Sequence, residues 1–149
     1  MTNATAATFI SDATCPECGA RRLDGMTCWE QMGAVCAWEW QDPELAAVHF
    51  LTVATYNLQH PAMFTDVAIS GLREAFIAHL DAGVSIKELR RRMGGAFEGK
   101  PRVLRDPSDQ RPVLKSWRIT IADVYLPALP AGAAGRVRAW AAATREQLR

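Results

Sequence analysis

Residues 27–61 read TCWEQMGAVCAWEWQDPELAAVHFLTVATYNLQHP, and this stretch predicts two consecutive helices. At its start, Thr27 and Glu30 have the spacing of a capping box, in which each side chain accepts a hydrogen bond from the backbone amide of the other residue. We therefore expect a first helix that begins just after Thr27 and runs to about Trp40, with one buried apolar face.

The second helix of this stretch begins at once. Asp42 is suited to be its N-cap, and Pro43 is favoured at a first helical position. Pro61 disfavours helical geometry at the residue before it, so the helix should end at about His60. Because the joint between the two helices is so short, we expect them to form an antiparallel hairpin.

The rest of the chain extends this helical pattern. Further helices are predicted at about residues 66–81, 85–94 and 133–147, the middle one ended by the pair Gly94 and Gly95. Residues 96–116 are polar and proline-rich and should form an exposed connection, whereas 116–124 alternate like a strand without a partner strand. We predict a mainly α protein: a flexible leader at 1–13, then one domain at 14–149, a small helical bundle built on the hairpin and carrying an N-terminal zinc knuckle.

Composition limits the class of protein. The chain has 149 residues, of which 49% are hydrophobic and 22% charged, as in one folded domain. No apolar run is long enough for a transmembrane helix, and residues 1–13 lack the pattern of a signal peptide. We therefore expect a cytoplasmic protein without membrane contact, whose four cysteines stay reduced.

The strongest chemical signal is the segment Cys15-Pro-Glu-Cys18-Gly19. Two cysteines separated by two residues can hold one metal ion, and the glycine allows the turn to close around it. A redox-active pair would be expected between a strand and a helix, and no strand is predicted before this one. Tetrahedral zinc needs two more ligands, and the candidates are Cys28, Cys36, His49, His60 and His79.

Helix geometry reduces this choice. His49 and His60 are eleven residues apart, which is roughly 16 Å along a helix axis, so one ion cannot bind both. The hairpin places the start of the first helix, with Cys28, near the end of the second, with His60. We therefore predict a closed structural zinc site formed by Cys15, Cys18, Cys28 and His60.

Alternatives to this site stay open. His49 is the other candidate for fourth ligand, and His60 could simply be a histidine at a helix end. Cys28 could be a buried thiol. Cys36 is interpreted as a core residue on an apolar stripe.

The second helix also carries an uncharged polar row that includes His49, Thr52, Tyr56, Gln59 and His60. Such groups are buried only with hydrogen-bond partners, for which Glu30 and Glu39 are candidates. One interpretation is a set of polar ties between helices, and the other is a pocket lined by His49, Tyr56 and Glu39. The pocket residues considered are His49, Tyr56, Gln59, Glu39 and Glu30.

Charge is unevenly distributed. Residues 1–70 carry 2 basic and 8 acidic side chains, whereas residues 71–149 carry 15 and 8. Packing of the halves on each other or in a homodimer is favoured over nucleic-acid binding, because no aromatic residues alternate with the basic ones. The residues that would contact nucleic acid are Lys87, Arg90, Arg91 and Arg92, with Lys100, Arg102 and Arg105 in the following loop.

The segments CPECG, TCWE, Asp42-Pro43 and HFLTVATYNLQHP (49–61) resemble an uncharacterised bacterial family, a domain of unknown function. Its members combine a CPxCG knuckle with a motif resembling HxLTVxxYxLQHP. The resemblance covers residues 14–64 strongly and extends weakly to the end of the chain. The resemblance implies no activity. The positions that match the family motif are Cys15, Cys18, Cys28, His49, Tyr56, Gln59 and His60.

Taken together, these features predict a zinc-binding protein that acts as a binding or scaffolding module for a protein or small-molecule partner. The alternative is a divalent-metal-dependent enzyme resembling the DinB-like helical bundles, with His49, His60 and His79 around the metal. That alternative requires the second helix to break between residues 49 and 60.

Overall fold

A computed structural model describes residues 14–96 and 102–148 of the chain. Within these ranges the protein is mainly helical and has no β-strand, which confirms the predicted fold class. The predicted leader, residues 1–13, lies outside the described residues. None of the helices described is long and apolar enough to cross a membrane. The α-helices of the described ranges are α1 (Cys28–Trp38), α2 (Pro43–Ala47), α3 (His49–Leu58), α4 (Asp66–Ala82), α5 (Ile86–Ala96), α6 (Ile121–Tyr125) and α7 (Ala133–Gln147).

The helix starts predicted from local sequence are confirmed. Thr27 Oγ1 accepts a hydrogen bond from the Glu30 amide, and the Glu30 carboxylate accepts one from the Thr27 amide. Asp42 caps α2 through the Leu45 amide, and Thr65 caps α4 through the Ala68 amide. These contacts satisfy amides that the first turn of a helix leaves unpaired.

The predicted second helix is in fact two helices. Val48 has φ −105° and ψ 19°, which separates α2 from α3 and makes His49 the first residue of α3. The first helix also ends earlier than expected, at Trp38, and continues as a 3-10 turn at Glu39–Gln41. No capping or proline signal marks position 48, so the sequence pattern did not indicate this break.

Two further boundaries differ from the prediction. Helix α5 continues through Gly94 and Gly95 to Ala96. The ambiguous segment 116–124 contains the start of α6, because the Thr120 amide donates to Asp123 Oδ2 and thereby begins a helix. Alternating apolar residues therefore lie on a short helix and the turn before it, and not on a strand.

The core lies around α3 and α7. Helix α3 packs against α7 and α4, α1 packs mainly against α6, and α6 packs on α7. Fully buried side chains join these elements and the knuckle in one cluster, including Val35, Leu45, Phe76, Val124 and Trp140. The antiparallel arrangement of the first two helices stays a prediction.

The connection between α5 and α6 is described from residue 102 onward and is mostly exposed. It is fixed to the turn before α4, where the Thr65 amide donates to the Val103 carbonyl and the Arg105 amide donates to the Met63 carbonyl, both at 2.9 Å. An isolated bridge joins Phe64 and Leu104. This part of the connection therefore lies close to the segment that follows His60.

Candidate metal centre

The knuckle is a tight turn whose amides point at sulfur. The amides of Glu17 and Cys18 donate to Cys15 Sγ at 3.4 Å and 3.5 Å, and the Ala20 amide donates to Cys18 Sγ at 3.4 Å. Gly19 has φ +77°, a conformation that residues with a Cβ rarely adopt. Such amide–sulfur hydrogen bonds stabilise thiolates, which are the form of cysteine that binds metal.

The third sulfur comes from the start of α1. Cys28 directly follows the capping residue Thr27, so the capping box fixes the backbone from which its side chain extends. The side chain of the buried Gln31 donates to the carbonyls of Arg21 and Met26 at 2.8 Å and 3.1 Å. These hydrogen bonds tie the segment that follows the knuckle to the first turn of α1.

The imidazole comes from the end of α3. His60 lies two residues beyond Leu58 and directly before Pro61, with φ −129° and ψ 57°. Its Nδ1 is 2.7 Å from the Tyr56 carbonyl, which can only accept, so Nδ1 carries the hydrogen. Nε2 faces the sulfurs of Cys15 and Cys28 and is the ring nitrogen that is left to bind a metal.

These four residues come together as one group. All ligand atoms of Cys15, Cys18, Cys28 and His60 lie within 4.8 Å of one another. His60 Nε2 is 3.4 Å from Cys28 Sγ and 3.7 Å from Cys15 Sγ. In a zinc tetrahedron with usual bond lengths, sulfur and nitrogen ligands are about 3.6 Å apart. The observed distances therefore match those that a tetrahedral ion requires.

The titratable groups of this cluster shift one another's pKa in opposite directions. The hydrogen bond between Cys18 and Cys28, together with burial, raises the pKa of Cys18. The same hydrogen bond, together with contacts with His60 and Tyr56, lowers the pKa of Cys28 to about 3 against the effect of burial. Burial alone would lower the pKa of His60, but the hydrogen bonds with Cys28 and the Tyr56 carbonyl raise it to about 9.

Neighbouring contacts hold the two halves of the group in place. Glu17 is buried, and its carboxylate accepts a hydrogen bond from the Ala62 amide at 2.8 Å, which links the knuckle to the turn after His60. The Tyr56 ring stacks on His60 with centroids 4.0 Å apart, and its hydroxyl is 3.4 Å from Cys28 Sγ. Burial and the hydrogen bond with Cys28 raise the pKa of Tyr56, so it stays protonated beside the sulfur.

The other candidate pocket residues occupy different places. Glu30 is used in the capping box, and Gln59 donates to the Ile119 carbonyl and to Thr144 Oγ1 on α7. His49 is exposed at the opposite end of α3, with Nδ1 2.5 Å and 2.7 Å from the two carboxylate oxygens of Glu39. Tyr56 lies at the metal group, so His49, Tyr56 and Glu39 do not line one cavity together.

The three histidines of the enzyme alternative are also apart. Helix α3 is continuous from His49 to Leu58, and the break at Val48 comes before this stretch. His79 is half-buried, with Nδ1 2.7 Å from the Val84 carbonyl and its ring edge-on to Phe50. The described residues contain no ligand group that unites the three histidines.

The basic residues proposed for nucleic acid are largely exposed on α5. Arg91 and Arg92 both donate to the Glu88 carboxylate, which neutralises part of their charge. In the loop, Arg105 pairs with Asp66 at 2.5 Å, while Lys100 lies outside the described residues.

Cys36 packs against the hydrophobic core, as interpreted from the sequence, but it also has polar neighbours. Cys36, interpreted as a plain core residue, is half-buried, and its sulfur lies with Glu39 and His49 in a second group of ligand atoms within 4.8 Å of one another. The i, i+3 spacing of Cys36 and Glu39 was the available signal, because such residues share a helix face.

Comparison with known families shows to which family the chain belongs. A family model, DUF5946, a family of unknown function, matches residues 13–149. The chain belongs to this family. This agrees with the resemblance to an uncharacterised domain seen in the sequence. No curated protein and no solved structure matches the chain.

Proposed function

We propose that this member of DUF5946 binds one structural zinc ion through Cys15, Cys18, Cys28 and His60. The observation that carries the proposal is the convergence of three sulfurs and one imidazole nitrogen at distances suited to a tetrahedron. Three thiolates and one imidazole are a ligand set typical of structural zinc sites. Iron–sulfur clusters are usually held by four cysteines, so this ligand set favours zinc.

A structural role is supported by the closed ligand shell. Four protein ligands fill a tetrahedron and leave no position for water or substrate, unlike catalytic zinc sites. Cys18, Cys28 and His60 are buried, which also restricts access. The ion would join the knuckle to the start of α1 and the end of α3, three segments that are far apart in the sequence, and its binding free energy would contribute to folding.

We further propose that the folded unit is a binding or scaffolding module. Support comes from large apolar side chains exposed beside the metal group. Trp29 is 67% exposed and touches the Tyr56 ring, and Leu114 is 64% exposed and lines a cavity with Cys15 and Cys28. Exposed apolar surface of this kind is a common feature of sites that bind a partner. The zinc–thiolate site requires reduced cysteines, in keeping with the cytoplasmic location expected from the sequence.

The test is metal analysis of the full chain purified under reducing conditions. We expect tightly bound zinc in the unaltered protein and in the Cys36→Ser control, which alters a cysteine outside the group. Cys18→Ser and His60→Gln should lose this zinc. X-ray absorption at the zinc edge should show three sulfur ligands and one nitrogen ligand per tightly bound ion.

Two results would contradict the proposal. One is a protein without metal that is as stable as the same protein after addition of zinc. The other is tightly bound zinc that persists unchanged in both Cys18→Ser and His60→Gln.

A further inference from the structure

The second group of ligand atoms lies at the other end of α3. Cys36 and Glu39 are three residues apart, on α1 and on the 3-10 turn that continues it, and His49 is the first residue of α3. One atom from each side chain lies within 4.8 Å of the other two. None of these three residues belongs to the Cys3His group.

We propose that Cys36, Glu39 and His49 form a second, open site for a divalent cation of the zinc type. Sulfur, carboxylate oxygen and imidazole nitrogen are the three kinds of zinc ligand that proteins use. In a tetrahedral complex such atoms are about 3.4–3.6 Å apart, so side-chain shifts of about 1 Å would complete the site.

The charges of the group suit a divalent ion. A Cys36 thiolate and the Glu39 carboxylate together carry two negative charges, which balance one Zn²⁺, and His49 binds as a neutral imidazole. Burial and the Glu39 carboxylate raise the pKa of Cys36, so metal binding would release the thiol proton. His49 Nδ1 lies 2.5 Å from Glu39 Oε1, so two of the three ligand atoms are already close together.

Exposure distinguishes this site from the first. The His49 side chain is 55% exposed, whereas that of Glu39 is 13% exposed. Three protein ligands leave a fourth position for water or an external ligand, as in zinc sites that exchange ligands. His49 also lines a groove of about 270 Å³ between α3 and α5, next to Phe50 and Val53. An external ligand with an apolar part could occupy this groove.

The two sites would bind separate ions. From His49 to His60 the chain rises roughly 16 Å at the usual helical rise, which is far beyond the reach of one ion. The second site can therefore be tested whether or not the first holds zinc.

The experiment is a Co²⁺ and Zn²⁺ titration of the full-length, reduced protein after removal of metal by chelation. We expect two ions per chain, the second bound at least tenfold more weakly than the first. The second Co²⁺ should add a smaller sulfur-to-cobalt absorption band, as expected for one thiolate in place of three. The proposal would be overturned if no ion bound, or if a single ion bound with an affinity that Cys36→Ser leaves unchanged.

Substitution of each proposed ligand tests whether that residue binds the second ion. Cys36→Ser, Glu39→Gln and His49→Gln should each weaken binding of the second ion at least tenfold and leave the first ion bound. The matched controls are Glu44→Gln, an exposed carboxylate on α2, and His79→Gln, a histidine outside both groups; both should keep two ions. Unchanged affinity for the second ion in His49→Gln and Glu39→Gln would refute the assignment.

Discussion

The two ends of α3 present similar ligand atoms in opposite surroundings. At its C-terminal end, His60 is 7% exposed and faces three sulfurs, and at its N-terminal end, His49 is exposed and faces one carboxylate and one sulfur. With a bound ion, the first arrangement would close a tetrahedron, whereas the second would leave a position open. Burial and the number of protein ligands therefore decide whether a metal group can serve stability or exchange.

The largest expected difference between the two ends is in stability. With one zinc ion per chain, His60→Gln should lower the free energy of unfolding by about 4 kcal/mol or more, since loss of a metal site is among the most costly changes. His49→Gln should cost less than about 1 kcal/mol, because it removes only an exposed ion pair. Urea unfolding of both variants measures this contrast. Equal losses would contradict the distinction between a closed and an open end.

The knuckle should be sensitive to backbone strain. Gly19→Ala should cost about 1–2 kcal/mol, because φ +77° is unfavourable for a residue with a Cβ. The nearest side-chain atom to that Cβ would be Leu114 Cδ1 at 3.7 Å, which is an ordinary contact, so strain and not a clash would be measured. Gly33→Ala is the control, because Gly33 is exposed within α1 and alanine should stabilise that helix by up to about 1 kcal/mol. In thermal unfolding with bound zinc, the Tm should fall in Gly19→Ala and rise in Gly33→Ala. An unchanged Tm in Gly19→Ala would argue against a rigid knuckle.

Tyr56 allows a finer test of the closed end. Tyr56→Phe keeps the ring stacked on His60 and removes only the hydroxyl at 3.4 Å from Cys28 Sγ, so we expect a loss of about 0.5–1 kcal/mol without loss of zinc. Tyr125→Phe is the matched control, because it removes a hydroxyl bound to Asp24. The absorption band of the cobalt-substituted protein should shift in Tyr56→Phe and not in Tyr125→Phe. A shift in both variants would mean that the band does not report the Cys28 contact.

The smallest expected effect on stability comes from an exposed ion-pair group on α5, away from both groups of ligand atoms. Hydrogen bonds from Arg91 and Arg92 lower the pKa of Glu88 from 4.5 to about 2. A carboxyl group whose pKa is lowered by folding stabilises the protein above pH 4.5, and this contribution is lost as the pH falls towards 2. The difference in unfolding free energy between the unaltered protein and Glu88→Gln should therefore shrink across this range and also shrink with added salt. A difference independent of pH would exclude the carboxylate as its source.

Local signals made much of the fold predictable. The caps predicted at Thr27 and Asp42 depend on residues within one turn, and both form as expected. The proximity of Cys28 and His60 was also foreseen, because a short joint between helices limits where their ends can lie.

Features that depend on tertiary packing were not predictable. The break at Val48 carries no proline or glycine and arises in a segment that packs on α7. The short helix α6 depends on its packing between α1 and α7, so its sequence was ambiguous in isolation. Cys36 does pack against the core, but the hydrophobic pattern gave no sign that its sulfur also lies near Glu39 and His49.

The contact between the Glu17 carboxylate and the Ala62 amide spans 45 residues of chain. During synthesis from the N-terminus, residues 15–18 are made first but have to wait for residues 60–62 before this contact can form. The N-terminal arm is thus fixed late in folding, after α1 and α3 have been made. If the proposed ion is withdrawn, this arm should become more open to proteases, because two of the four ligands, Cys15 and Cys18, belong to it.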